Sequence, residues 1–206
     1  MDKKHEVPTT VKDGTLIEKR RQQMVQAAVA LFKHKGFHRT TTREIAKEAG
    51  FSIGTLYEYI RTKEDVLYLV CDSIYHEVHG RLSEFTTEAG TLDELKNAIR
   101  HYYGVIDDMS DEFVVMYQES KSLPKHALEY VLKKEVEMVG IFHQMILRCI
   151  QNKELLLSKE QAQLYAHTLV VQGQMWAFRR WALKKDYTLY DFTELQISLL
   201  FNGMKK

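Results

Sequence analysis

Arg43, Ser52, Thr55, Tyr57 and Lys63 all fall inside one short stretch, residues 41–63, which reads TTREIAKEAGFSIGTLYEYIRTK. A guanidinium, hydroxyls, a phenol and an ammonium so closely spaced can meet phosphate oxygens and base edges. Other chemistry is scarce. The sequence holds no nucleophile elbow, no phosphate-binding glycine loop and no paired-acid motif, so it is not expected to be an enzyme. His76 and His79 sit three apart on one predicted helix, with Cys71 before them. Two histidines at that spacing can share a metal, but no fourth ligand follows at a clear spacing, and neither a metal nor a cofactor is expected.

The elements that must position this stretch are short helices. Thr41 and Glu44 have the spacing of a capping box. Ile45, Ala46 and Ala49 then give one face of a short helix its apolar residues. Gly50 ends that helix, because a residue tolerant of positive φ stops it abruptly. Phe51 plugs the corner, and Ser52 can cap a second helix over residues 53–59, with Leu56 and Ile60 turned inward. Its outward face is Ile53, Gly54, Thr55, Glu58 and Tyr59, with Tyr57 at the flank. A helix, a glycine turn and a second helix with a small, polar leading edge make a helix-turn-helix, whose second helix enters the DNA major groove. An ordinary helical hairpin has the same outline. Thr62 and Asp65 open a long helix expected to reach Phe85. Lys63 lies in its first turn, where the ammonium and the helix N-terminus together favour a phosphate.

The segment GFSIGTLYEYIRTKEDVL resembles the signature of the TetR family of bacterial repressors, G-[VF]-S-x-G-x-[LI]-Y-x-[HY]-F-x-x-K-E-x-L. Gly50, Ser52, Gly54, Leu56, Tyr57, Tyr59, Lys63 and Glu64 fall in register. Upstream, Ala28, Leu31, Phe32, Gly36, Phe37, Thr40, Thr41, Ile45, Ala46 and Ala49 extend the match. Ile60 stands where the family usually has Phe, a change that bears on packing. The resemblance covers about residues 18 to 70. It implies that Thr42, Tyr57, Tyr59 and Lys63 hold phosphates, and that Arg43, Ile53, Gly54 and Thr55 face base edges. Thr41 and Ser52 cap the two helices, Ser52 also touching the DNA backbone. Arg43 could read a guanine, and Thr55 or Ile53 a thymine methyl.

Charge is divided along the chain. Residues 1–63 carry 13 Lys+Arg and 7 Asp+Glu, a net of +6, while residues 64–206 carry 16 and 21, a net of −5. A basic first third beside an acidic remainder is expected when one end meets nucleic acid. Residues 1–14 read as a mobile polar tail that is either without a role or a basic arm for the minor groove. The two cysteines, Cys71 and Cys149, sit in apolar helical patterns and are expected as buried free thiols in a reducing cytoplasm. No signal peptide or membrane-spanning run is read. The fold class expected is all-α with about nine helices: a DNA-binding head over 1–62 and a ligand-binding and dimerisation domain over 63–206. Helices are predicted over 16–35, from Thr91 to about Ile106, over 113–120, 128–150, 162–184 and 190–201, with Gly203 ending the last.

The final two helices are apolar on more than one side, a pattern suited to packing against another subunit. Gly173 and Ala177 offer a strip of small residues, and Phe192, Leu195, Leu199, Leu200 and Phe201 extend apolar surface around the last helix. The resemblance implies a homodimer through 162–184 and 190–201, bound to a palindromic operator in double-stranded DNA. Phe113, Met116, Tyr117, Met138, Phe142, Met145, Met175, Trp176 and Phe178 could line one interior, as plain core or as an adaptable pocket. Arg100, His101, Gln118, Gln172, Gln174 and Arg179 are the polar residues threaded among them. The ligand-contact candidates are Arg100, Phe113, Met116, Tyr117, Phe142, Met145, Gln172 and Trp176, for a small, largely apolar effector. The segment VVMYQESKSLP, the later Glu135 and the segment GQMWAFRRW look similar to TetR members that respond to fatty acyl-CoA. Arg179 and Arg180 would then pair with CoA phosphates, or lie on a solvated face. The effector is expected to tilt the 65–85 helix and so move the recognition helices out of register with DNA. An efflux repressor answering aromatic drugs, and a regulator with no small-molecule ligand, are the alternatives.

Overall fold

In the computed structural model, which describes residues 7–83 and 90–202, every regular element among the described residues is helical. In chain order these are α1 (Gly14–Lys35), α2 (Thr42–Glu48), α3 (Ile53–Tyr57), α4 (Lys63–Ser83), α5 (Leu92–Asp108), α6 (Ser110–Glu119), a 3-10 turn (Ser120–Ser122), α7 (Lys125–Gln151), α8 (Lys159–Phe178), α9 (Arg180–Leu183) and α10 (Leu189–Asn202). Phe85, Gly203 and the basic residues Lys3 and Lys4 lie outside the described residues.

The helix starts follow local side-chain chemistry. Reciprocal capping boxes close the N-termini of α2 (Thr41 with Glu44), α5 (Thr91 with Glu94) and α8 (Ser158 with Gln161). Each satisfies backbone N–H groups that have no partner inside the helix. Thr62 and Asp65 do the same at α4: the Asp65 carboxylate accepts from the Arg61 and Thr62 N–H groups, both at 2.9 Å. Thr188 and Asp191 pair likewise before α10. Gly36 and Gly50 take φ of +81° and +75° at the ends of α1 and α2, where a side chain would be strained.

The chain forms two compact units. One holds the residues up to Ile74 with Asp111–Lys133; the other holds Tyr75–Ser110 and everything from Lys134 on. This is a division by packing, whereas the boundary expected at 62/63 is a division by function. In the first unit, Met24, Ala28, Phe32, Phe37, Ile45, Leu56 and Ile60 are buried beneath α1–α3. Its α6 is tied to α1 by Lys33 with Asp111 at 2.9 Å. In the second unit, Tyr102 packs on Phe142 (5.3 Å between centroids) and Trp176 on Phe192 (5.0 Å). Gly173 lets α8 approach α5 closely: a Cβ there would lie 2.5 Å from Tyr103 Cε1 and 2.8 Å from Ile106 Cδ1.

Several expectations need correction. The helix predicted over 162–184 breaks at Arg179, whose φ of −115° and ψ of 18° separate α8 from α9. No glycine or proline marks the break. It falls where Asp107 gathers Trp176 Nε1 (2.8 Å), Arg180 (3.3 Å) and Lys184 (3.3 Å). The strip of Gly173 and Ala177, by contrast, does serve close helix packing, with Gly173 against α5. Residues 7–13 are not a loose tail, because Val7 is buried and Thr9, Thr10 and Asp13 are hydrogen-bonded.

Candidate nucleic-acid interface

The local chemistry of residues 41–63 builds a helix-turn-helix. Thr41 caps α2, and Glu44 is tied back to Lys35 and to Thr41. The Lys35 ammonium, together with the Thr41 hydroxyl and N–H, holds the Glu44 carboxyl down at about 2. Ser52 Oγ accepts from the Thr55 N–H at 3.0 Å and pairs with the Thr55 hydroxyl at the same distance. Leu56 is wholly buried, so the opposite side of α3 faces out.

On that outer side lie Ser52 and Gly54, both exposed, with Ile53 and Thr55 half-buried. Tyr57 is 50% exposed, and its hydroxyl lies 3.1 Å from that of Thr42 on α2. Arg43 is exposed on α2. Arg43, Thr42, Tyr57 and the leading edge of α3 therefore belong to one small helical pair. Gly54 is informative. It has no positive φ, and a Cβ there would meet only Ser52 Oγ at 3.6 Å, an ordinary contact. Neither backbone nor packing requires a glycine, although glycine costs a helix roughly 0.5–1 kcal/mol against alanine. The remaining use is close approach by something outside the chain.

Two expected outward residues are placed differently. Tyr59 is 3% exposed and belongs to the core, because α3 stops at Tyr57 and the chain turns inward. Lys63 points back into the head. Its Nζ donates to the carbonyls of Phe37 (2.8 Å), His38 (3.2 Å) and Thr40 (3.1 Å) and lies 4.3 Å from the Phe37 ring centroid. An ammonium has three donors, and here all three serve the turn between α1 and α2.

The ligand-contact candidates are divided between the two units. Phe113, Met116 and Tyr117 belong to the first unit, and Tyr117 is 71% exposed. Arg100 is exposed and spends its guanidinium on Glu194, at 2.6 and 3.0 Å. Phe142, Met145 and Trp176 are buried in the second unit, and Gln172 is half-buried with a buried, unpartnered Oε1. Glu135 was the stronger signal in that interior. Its carboxylate accepts from Tyr75 Oη and Gln174 Nε2, both at a long 3.4 Å, and burial pushes its pKa up. The buried Tyr102 hydroxyl has no hydrogen-bond partner among the described residues. Arg180 is held by Asp107, and Arg179 lies 5.8 Å from the centroid of the exposed Trp181 ring. Among the described residues no group of three or more His, Cys, Asp or Glu could hold a metal, and Cys71 and Cys149 are buried free thiols. No described helix is long and apolar enough to cross a membrane.

Comparison with known proteins agrees with this geometry. Residues 24–68 match the family described as bacterial regulatory proteins, tetR family. The chain is 28% identical over 204 residues to the HTH-type transcriptional regulator HbdR of Aromatoleum sp. (strain CIB), covering 97% of this chain and 87% of that protein. It is 28% identical over 105 residues to the HTH-type transcriptional repressor KstR2 of Mycolicibacterium smegmatis, covering 50% of this chain and 51% of that one. Among solved structures, AibR in complex with isovaleryl coenzyme A and operator DNA superposes with a TM-score of 0.75 at 17% identity, covering 88% of this chain and 98% of AibR. At that identity the likeness shows the fold alone.

Proposed function

We propose that the chain is a TetR-type repressor acting as a homodimer on a palindromic operator, a reading supported by the match of residues 24–68 to the tetR family and by the likeness to HbdR along the chain. The observation that carries the reading is the outward edge of α3, where Gly54 has no internal reason to be glycine. Arg43, Ile53, Gly54 and Thr55 face base edges: Arg43 suits guanine O6 and N7, and the methyl groups of Ile53 or Thr55 suit that of thymine. Thr42, Ser52 and Tyr57 hold phosphates. Tyr59 and Lys63 act from inside, by fixing the turn between α1 and α2 and the end of α3.

A five-residue helix reads few bases, so useful specificity asks for two copies in successive major grooves, roughly 34 Å apart. The surface for that pairing is the apolar face left uncovered on α8 and α10: Leu164, Val171, Leu195 and Leu199 are all more than half exposed. Exposed large apolar residues of this kind suit an association site. The repressor meets its operator in the cytoplasm.

The effector is a small, largely apolar molecule bound inside the second unit. Support comes from an interior that mixes Phe142, Met145 and Trp176 with incompletely bonded polar atoms. AibR, solved with isovaleryl coenzyme A, makes a fatty acyl-CoA the favoured class. Release runs along α4, whose residues 63–74 pack with the head and whose residues 75–83 pack with the second unit. The test is a Leu195→Glu/Leu199→Glu variant, studied by sedimentation and by titration of a duplex selected by the wild-type protein from a randomised library. The variant is expected to sediment as a monomer and to bind that duplex at least about tenfold more weakly, a change of about 1.4 kcal/mol. A dimeric variant with full affinity would remove this interface from the account.

A further inference from the structure

The first described residues of the chain are drawn across the C-terminal end of the recognition helix. Val7 is buried. Arg21, on α1, bridges two segments through one nitrogen, Nη2, which donates to the Val7 carbonyl at 2.6 Å and to the Tyr59 carbonyl at 3.2 Å. The Glu58 carbonyl accepts from the Thr9 hydroxyl at 2.8 Å and from the Thr10 N–H at 3.0 Å. Asp13 closes the segment by capping α1 through the Leu16 N–H at 3.1 Å.

These contacts fall where α3 most needs them. The helix has five residues, and only Leu56 within it is buried. A helix that short does not hold itself, and its last carbonyls have no partner inside it. Glu58 is its C-cap, and the donors just named reach the carbonyls of Glu58 and of the next residue. Drawing a guanidinium into a part-buried place costs desolvation, which pushes the Arg21 pKa down. The planar fork of arginine can serve carbonyls from two segments in a fixed geometry, which the flexible ammonium of lysine cannot reproduce.

We propose that residues 7–13 form a strap that, through Arg21, Thr9 and Thr10, sets the angle at which α3 meets DNA, so that Arg21 is a positioning residue for sequence-specific binding. The inference rests on the reading of α3 as the recognition helix. A tilted α3 loses base-edge contacts, whereas contacts to the phosphate backbone tolerate small shifts. Specific and non-specific binding should therefore separate.

The experiment uses full-length Arg21→Met, Arg21→Lys and Thr9→Val/Thr10→Pro, the last removing a hydroxyl and an N–H at exposed positions. Each is titrated with the duplex selected by the wild-type protein and with a scrambled duplex of the same composition, over a range of salt. Hydrogen exchange of the Tyr59 and Ile60 amides, which donate to the Leu56 carbonyl, is followed without DNA. Arg21→Met and the double variant are expected to lose about tenfold on the selected duplex, with the scrambled duplex and the salt slope unchanged and with faster exchange at both amides. Arg21→Lys should fall between. Unchanged exchange overturns the strap whatever the DNA result. An equal loss on both duplexes with a shallower salt slope overturns it too, making Arg21 a phosphate contact. A wild-type protein with no salt-dependent duplex binding removes the DNA reading and the positioning role with it, even where exchange still registers the strap.

Discussion

Glu135 shows how a single residue can carry a signal that periodicity hides. Helical spacing alone gives it no special place; only the resemblance to acyl-CoA-responsive proteins singles it out. Packing puts its carboxyl among Tyr75, Tyr102 and Gln174, and desolvation raises its pKa. A carboxyl whose folded pKa lies above the unfolded value, about 4.3, adds stability below that value and loses it as pH rises through the folded pKa. Glu135→Gln, which keeps the shape and removes the charge, is therefore expected to melt above the wild type near neutral pH. The gap should close as pH falls below about 4. Melting curves across that range check it, and a gap that widens toward acid would contradict the assignment. Lys63 teaches the opposite lesson. Its type and place at a helix N-terminus suggested a phosphate, but three carbonyls nearby satisfy the same ammonium. Sequence gives the donor and leaves the acceptor open.

At the scale of elements, what was legible is what is local. Capping pairs three residues apart, at Thr41, Thr91 and Ser158, located the starts of α2, α5 and α8 directly, because their hydrogen bonds close within one turn. Gly36 and Gly50 located ends for the same reason. The break at Arg179, the docking of residues 7–13 and the inward turn at Tyr59 depend on partners far along the chain, Asp107, Arg21 and the Val7 carbonyl among them. Gly173 sits between these cases. Its small size was visible and its partner was not: the close approach is to α5 rather than to a second chain. Adding a methyl there forces Tyr103 and Ile106 aside in a packed core, at a cost of about 1–3 kcal/mol. Gly173→Ala should lower the melting temperature by about 2–4 °C per kcal/mol in a chain of this size. An unchanged melting temperature would mean the α5–α8 approach is looser than described.

At the scale of the molecule, the charge division and the long motif lead to the expectation of a basic head followed by a helical remainder. Every regular element among the described residues is helical, and residues 24–68 match the tetR family of bacterial regulatory proteins. The effector site was the least legible part. Met and aromatic spacing alone does not distinguish a pocket from a filled core, and the named candidates fall in both packing units or at the surface. The edge proposed to meet DNA is better specified, because its residues sit within two short helices that are capped by Thr41 and Ser52. Its most direct test is binding by wild-type protein and Gly54→Ala, measured as anisotropy of the selected duplex against salt and paired with a melting curve. The wild type should lose affinity linearly in log salt, by about 0.9 per phosphate neutralised. Gly54→Ala should melt no lower than the wild type, since alanine favours the helix, and should bind at least about tenfold more weakly. A Gly54→Ala protein that binds as tightly as the wild type would mean that this edge of α3 does not face DNA.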